Sequence, residues 1–441
     1  MRPVTRSLLA CAVPTHAASH AHACPTMMTR RIKDAAFAAT LLAGSPHASN
    51  ASQSFGTAMK GWHLPCQKEV AVFFRDCSAH EMPCSMQHYW SGGTFDNYTG
   101  TRVRYYVDAS ATGVDIPLGL GHGSAPDRLG GYEDNGPWAA GALFGKSGVG
   151  LHAGGASHGS GLWNNIQIPF GFQINVTVAL GCKNRSAEYF WLVLRGRTKA
   201  SVVLPGAPSP LPPQARLRSF ESSFTNLPPY AYLPFFNSSA QNGAVLFVTL
   251  AVRSPMRSFQ FLEGMVRATS KTPPSPPPPP RCVPTGELQC EHMAAEGYLA
   301  ASRNETARDA ARNLTHKQAR AASRASRAAE NRKTWLLSSG TEDYFLGTFY
   351  FNKGQFFNPL AGLTSLCPLP KGRNSVPHPV SIGCVPDSHG AVRFSAYRVH
   401  GGYDPLEFEN GHASSWRNGE PGHGGAGATV NASAFALVYE W

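Results

Sequence analysis

The chain has 441 residues, of which 42% are hydrophobic and 15% charged, a composition able to bury the cores of two or three globular domains. Its net charge of +12 would suggest a nucleic-acid or membrane partner if it were spread over the fold. Residues 1–48 carry five basic groups and one acid, and residues 303–333 carry nine and three. The rest of the polypeptide is therefore near neutral, and no basic groove for nucleic acid is expected.

The first 48 residues read as a leader. A basic stretch from Met28 to Lys33 precedes a short apolar run, AAFAATLLAG, and small residues suited to cleavage follow near Ala48. Translation would begin most naturally at Met27 or Met28. Eight Asn-x-Ser/Thr sequons, at Asn50, Asn97, Asn175, Asn184, Asn237, Asn304, Asn313 and Asn431, agree with passage through a secretory pathway. No apolar run reaches bilayer length, so a secreted or lumenal protein without stable membrane insertion is expected. Of the ten cysteines, eight lie beyond the leader, an even number suited to disulfides in an oxidising compartment. Cys282 with Cys290 and Cys367 with Cys384 are the easiest local pairs to imagine, although sequence does not fix connectivity. Histidine and cysteine spacing matches no zinc motif, and neither a metal nor another cofactor is expected.

From about residue 85 the pattern is short, aromatic and β-branched. Val103–Ala109, Glu188–Arg195, Val245–Val252, Phe259–Val266, Val392–Val399 and Ala434–Trp441 all read as strands between Gly, Pro, Asn and Ser clusters. With 44 Gly and 35 Pro, this predicts an all-β sandwich protein. Pro205–Pro213 breaks the pattern and marks a domain boundary. Residues 49–84 form an atypical segment ahead of a first sandwich at 85–205, and a second sandwich spans 206–441. An insert at 271–334 interrupts the second: a polyproline tract, then an Ala- and Arg-rich stretch with no hydrophobic stripe.

Chemistry concentrates around Ser338–Phe345, SSGTEDYF. Two adjacent acids, Glu342 and Asp343, follow a Gly-Thr turn, and on an extended chain they would face opposite ways, so that only one could enter a pocket. SSGTEDYF resembles the signature of glycoside hydrolase family 172, whose members act on fructofuranose and arabinofuranose linkages. FQFLEGMVRA (259–268), FSAYRVHGGYDPLEF (394–408), WRNGE (416–420) and the terminal ALVYEW resemble further stretches of that family in the same order. HYWSGG, NGPWAAGALFG and LWNNIQIPFG are weaker echoes upstream. The family's Ser-Asn-Gly-rich N-terminal segment is not found in residues 49–84.

The resemblance implies two jelly-roll sandwiches in one catalytic unit, an oligo- or polysaccharide substrate, a homo-oligomer such as a trimer, and Glu342 as the nucleophile of a retaining glycosidase. Such an enzyme needs a second carboxyl group about 5–5.5 Å away. Family members place a glutamate downstream of the motif, but between Tyr344 and Leu406 this chain has only Asp387 and Asp404. Asp404 precedes Pro405 and suits a turn. Asp387 is a positional candidate for the acid/base. Glu263 is the other, because an acid within an apolar strand must either pair, here with Arg267 or Arg398, or have a raised pKa. Asp343 is expected to orient the loop. Arg398 and His400, two apart on one strand, can hydrogen-bond sugar hydroxyls, as can Asn352, while Tyr344, Trp90 and Trp163 offer flat faces for a sugar ring or simply pack. The alternatives are a jelly-roll carbohydrate-binding protein that has lost its acid/base, and a structural cell-surface glycoprotein.

Overall fold

Period-two alternation of inward and outward residues, punctuated by turn formers, produces an all-β architecture in the computed structural model. The structure describes residues 51–93, 100–111, 113–124, 138–147, 161–182, 186–254, 259–270, 336–338, 340–348, 351, 356–367, 391–420 and 428–441.

The first sandwich begins with β1 (Ser54–Pro65), β2 (Glu69–Asp76), β3 (Cys84–Gly93), β4 (Arg102–Val107) and β5 (Val114–Pro117). It continues with β6 (Trp138–Ala140), β7 (Phe144–Ser147), β8 (Gly161–Asn164), β9 (Ile168–Phe170), β10 (Gln173–Ala179) and β11 (Ala187–Arg197). One sheet has the order β1-β11-β3-β8-β7-β6, with β9 also on β3, and the other runs β2-β10-β4-β5. Residues 49–84, expected to precede this sandwich, therefore supply a strand to each of its sheets. A register shift between Met59 and Trp62 breaks the alternation of β1, which is why the sequence pattern conceals that strand. Two disulfides secure the region. Cys66–Cys182 ties the end of β1 to the residues after β10, and Cys77–Cys84 ties the end of β2 to the start of β3. They point to an oxidising compartment. Cys282, Cys290 and Cys384 lie outside the described residues, as does the whole of the insert at 271–334. No helix among the described residues is long and apolar enough to cross a membrane.

The second sandwich comprises β12 (Arg216–Leu227), β13 (Tyr232–Ser238), β14 (Asn242–Ser254), β15 (Val266–Ser270), β16 (Leu336–Leu337) and β17 (Phe356–Phe357). After these come β18 (Ala361–Cys367), β19 (Val392–Val399), β20 (Glu407–Glu409), β21 (His412–Arg417) and β22 (Val430–Glu440). Its larger sheet has the order β12-β22-β14-β19-β18-β17, with β20 also on β14, and its smaller sheet is β13-β21-β15-β16. Between β11 and β12 the chain forms no strand, and the Pro-rich segment packs at Pro205 against Gly401 and Gly402.

The larger sheet of the second sandwich is apolar on both sides. On β22, Val430, Ala432, Ala434, Ala436 and Val438 join the second sandwich's own core, while Phe435, Leu437 and Tyr439 join the core of the first. On β14, Val248, Leu250 and Val252 face one way and Phe247 and Ala251 the other. Phe144 of β7 packs edge-on to Phe247 at 4.7 Å and to Tyr397 at 5.0 Å.

A 3-10 turn, Leu120–His122, lies against the same surface. Thr249 donates its hydroxyl to Leu120 O at 2.8 Å, and Thr364 donates to Gly123 O. Gly123 is required here, because its φ is +74° and a Cβ would lie 2.9 Å from the Tyr397 ring. His122 is wholly buried, and burial lowers its pKa to about 4, so the ring is neutral. Its Nδ1–H donates to Leu118 O at 2.9 Å, and Nε2 accepts from Asn164 Nδ2 at 3.2 Å.

Phe247→Ala, which empties the junction between the two cores, should destabilise the protein by about 3–5 kcal/mol. Denaturant unfolding of the variant and wild type measures this directly, and a change below about 1 kcal/mol would mean that the two cores do not share that side chain.

Candidate active site

The SSGTEDYF stretch folds as a single helical turn, α1 (Thr341–Tyr344), entered through an extended Gly340 with φ −144° and ψ 168°. This corrects the expected extended chain. Consecutive side chains around a helix lie about 100° apart, and this alone turns Glu342 inward and Asp343 outward: Glu342 is 8% exposed, whereas Asp343 is solvent-exposed. The turn is pinned from beneath. Thr341 Oγ1 donates to Gly264 O at 3.0 Å, and Phe261 O lies 3.3 Å away. The same oxygen accepts from the buried Trp416 indole at 2.9 Å. Ser338 N–H donates to Val266 O at 2.9 Å and Val266 N–H donates to Ser338 Oγ at 3.0 Å, so the approach to the turn continues the pairing of β16 with β15.

Glu263 lies on a 3-10 turn, Gln260–Glu263, not in the expected strand, and β15 begins only at Val266. The close approach of β21 explains the break. A Cβ at Gly264 would lie 1.8 Å from Arg417 O, so the chain crosses there with bare backbone. This turn packs against α1 and carries the partly exposed Glu263 to the side of Glu342.

Glu342 is electrostatically costly. Burial pushes its pKa up to about 7, and the negative charges of Asp343 and Glu263 add to the shift against the opposing hydrogen bond from its own backbone. Its Oε2 is buried and has no hydrogen-bond partner among the described residues. Gly340 leaves room for that oxygen, because a Cβ there would lie 3.0 Å from it.

Behind the turn runs a buried chain of polar groups. The Tyr344 hydroxyl is 3.0 Å from His400 Nε2, and His400 Nδ1 is 2.9 Å from Asp404 Oδ2. Arg398 donates to the same oxygen through Nε at 3.1 Å and Nη2 at 2.5 Å. The hydrogen bond from His400, with the Arg398 guanidinium beside it, lowers the Asp404 pKa to about 2 despite partial burial. That stabilisation is present above the ordinary value of 3.8 and is lost as pH falls toward 2. Asp404 also shapes a turn, as expected before Pro405, through backbone bonds with Gly401 at 3.0 and 3.3 Å. Burial raises the Tyr344 phenol well above its usual range, so it stays protonated.

The structure thus brings together Glu342, Asp343, Glu263, Tyr344, Arg398 and His400. Arg398 and His400 are 7% and 3% exposed and, engaged by Asp404 and Tyr344, support the turn, while Arg398 Nη1 is buried with no hydrogen-bond partner among the described residues. Trp90 and Trp163 are paired across β3 and β8 of the first sandwich, whereas Glu342 is on the helical turn α1 of the second. Asp387 and Asn352 lie outside the described residues. Sequence reasoning missed Thr341 and Trp416 as the pins of the turn. Both lay in quoted motifs, but nothing in their spacing reveals that the indole reaches the hydroxyl. Among the described residues no three His, Cys, Asp or Glu side chains cluster as a metal site requires.

No family model matches this sequence, and no curated protein matches it. Among solved structures, the PBSX exported protein XepA aligns over 89% of this chain and 88% of its own, at 8% identity and a TM-score of 0.16, too slight a likeness to bear on fold or function.

Because Glu342 holds its proton to higher pH when folded than when unfolded, its ionisation costs stability as pH rises above about 4.5, and the full cost is present above about 7. Glu342→Gln should therefore stabilise the protein at pH 8, by an amount on the order of 3 kcal/mol, and change it little at pH 4. Thermal unfolding of both proteins at the two pH values tests this, and equal effects at both would remove the electrostatic account of the site.

Proposed function

We propose that this protein is a secreted glycosidase acting on furanosyl linkages, fructofuranosides or arabinofuranosides, by a retaining double displacement centred on Glu342. The observation that carries the reading is a buried carboxyl group with an unpartnered oxygen, flanked by a second carboxyl group from Glu263. In this mechanism Glu342 attacks the anomeric carbon while Glu263 protonates the departing oxygen. A water molecule deprotonated by Glu263 then attacks the glycosyl-enzyme and releases Glu342. Tyr344, His400, Asp404 and Arg398 are positioning residues that hold the turn bearing the nucleophile. The resemblance of SSGTEDYF and its companion motifs to glycoside hydrolase family 172 supports the substrate class and a homo-oligomeric assembly.

The elevated pKa of Glu342 favours a second assignment within the same chemistry. A carboxyl group that keeps its proton to about pH 7 is suited to donate it, with the less buried Glu263 as nucleophile.

Purified protein assayed on nitrophenyl α- and β-arabinofuranosides and fructofuranosides should show hydrolysis, with Glu342→Gln and Glu263→Gln each reducing kcat/KM by about 10²–10⁴-fold. If Glu342 is the nucleophile, kcat/KM rises with pH through about 7 as it ionises; if it is the proton donor, kcat/KM falls over the same interval. Hydrolysis that survived Glu342→Gln would overturn both assignments. Sugar binding without hydrolysis would support the carbohydrate-binding alternative.

A further inference from the structure

The larger sheet of the first sandwich has a second chemistry on its outward face. Along β11 the even positions Phe190, Leu192 and Leu194 are wholly buried, while Tyr189, Trp191, Val193, Arg195 and Arg197 point outward. Outward residues on one strand recur about every 7 Å, so this row runs from aromatic to cationic. Tyr189 is 44% exposed and stacks against Trp191, with ring centroids 6.0 Å apart and planes inclined by 22°. Beside them Trp90 of β3 faces Trp163 of β8 across the ladder.

The seat of Trp90 is built from glycine. A Cβ at Gly161 would lie 2.4 Å from its Nε1, and one at Gly92 would lie 3.2 Å from its ring. The half-buried indole therefore lies against these two glycines. Exposed flat indole and phenol rings stack on the apolar faces of sugars while their N–H and O–H groups remain hydrogen-bonding.

Charge selects among sugars. Arg195 and Arg197 are exposed and form no ion pair or side-chain hydrogen bond among the described residues. The contrast with the opposite sheet is direct. There Arg102 and Arg104 are neutralised by Asp115 at 2.7 and 3.0 Å, by Glu221 and by Glu69. On the face carrying β11, no described outward side chain of β1, β11, β3 or β8 is a carboxylate. The forked guanidinium matches a planar carboxylate in two parallel hydrogen bonds.

We propose that this face is a binding platform for a polyuronate, with sugar rings on Tyr189, Trp191, Trp90 and Trp163 and uronate carboxylates paired to Arg195 and Arg197. It lies on a different sandwich from Glu342 and does not depend on catalysis there.

Affinity electrophoresis of the full chain in gels containing polygalacturonate, dextran sulfate or neutral dextran tests the proposal. Polygalacturonate should retard the wild type more than either other polymer. Tyr189→Ala and the double variant Arg195→Gln with Arg197→Gln should each weaken that binding about tenfold with unchanged thermal unfolding, and Glu342→Gln should leave it intact. Absence of retardation by polygalacturonate would overturn the proposal, as would equal retardation by dextran sulfate or by neutral dextran. Retardation unchanged in the arginine double variant would place any polyanion binding elsewhere, for instance in the basic 303–333 segment, and would overturn it equally.

Discussion

A sheet buried on both faces is the constraint on which the rest of this structure depends. Strands β14 and β22 can hydrogen-bond only along their edges, so each side chain above and below the sheet must be apolar or individually satisfied. The chain meets this demand with small residues on one face of β22 and large ones on the other. Ala432, Ala434 and Ala436 let the second sandwich close tightly, whereas Phe435, Leu437 and Tyr439 reach across to the first. Thr249, a buried polar residue on β14, gives its hydroxyl to Leu120 O. The two sandwiches thus share a wall, and the strand next to β14 in that wall, β19, delivers Arg398 and leads into His400.

Around Glu342 the same low-dielectric interior acts in the opposite sense. Several other buried polar groups find partners: His122 between Leu118 and Asn164, Asn418 with three backbone carbonyls, and Asp404 with Arg398 and His400. Glu342 has burial and like charge without a compensating cation among its determinants. A fold that satisfies its other acids so thoroughly keeps this one strained by rigid pins on both sides, Thr341 against Gly264 and Trp416 and the Tyr344 hydroxyl against His400. Strain of this kind persists only where the surroundings over-determine it.

How much of this was legible in the sequence follows from which signals are local. Apolar runs such as VLFVTLAV and ALVY announced strands, and Val392–Val399 has the bounds that its aromatic and β-branched pattern suggested. β1 was hidden by its register shift, and the Phe259–Val266 run contained a 3-10 turn because a neighbouring backbone presses on Gly264, a contact that composition cannot encode. Within the site, Glu342 stood out from its motif. Its inward orientation came from helical geometry instead of strand alternation, and the engagement of Arg398 and His400 by Asp404 was invisible because separations of six and four residues say nothing about the turn that closes it. Trp90 and Trp163 were recognised as flat sugar-facing candidates, but their sheet could be identified only from the pairing of β3 with β8.

Each sandwich also joins its first strand to its last. β1 pairs with β11 and β12 pairs with β22. During synthesis the opening strand of each half must therefore wait without its ladder partner until more than a hundred later residues have emerged, which takes on the order of ten seconds at typical elongation rates. Closure of each half is in this sense a late event, and the wall shared by the two sandwiches, of which β22 is a central strand, is completed after almost everything that leans on it has been made.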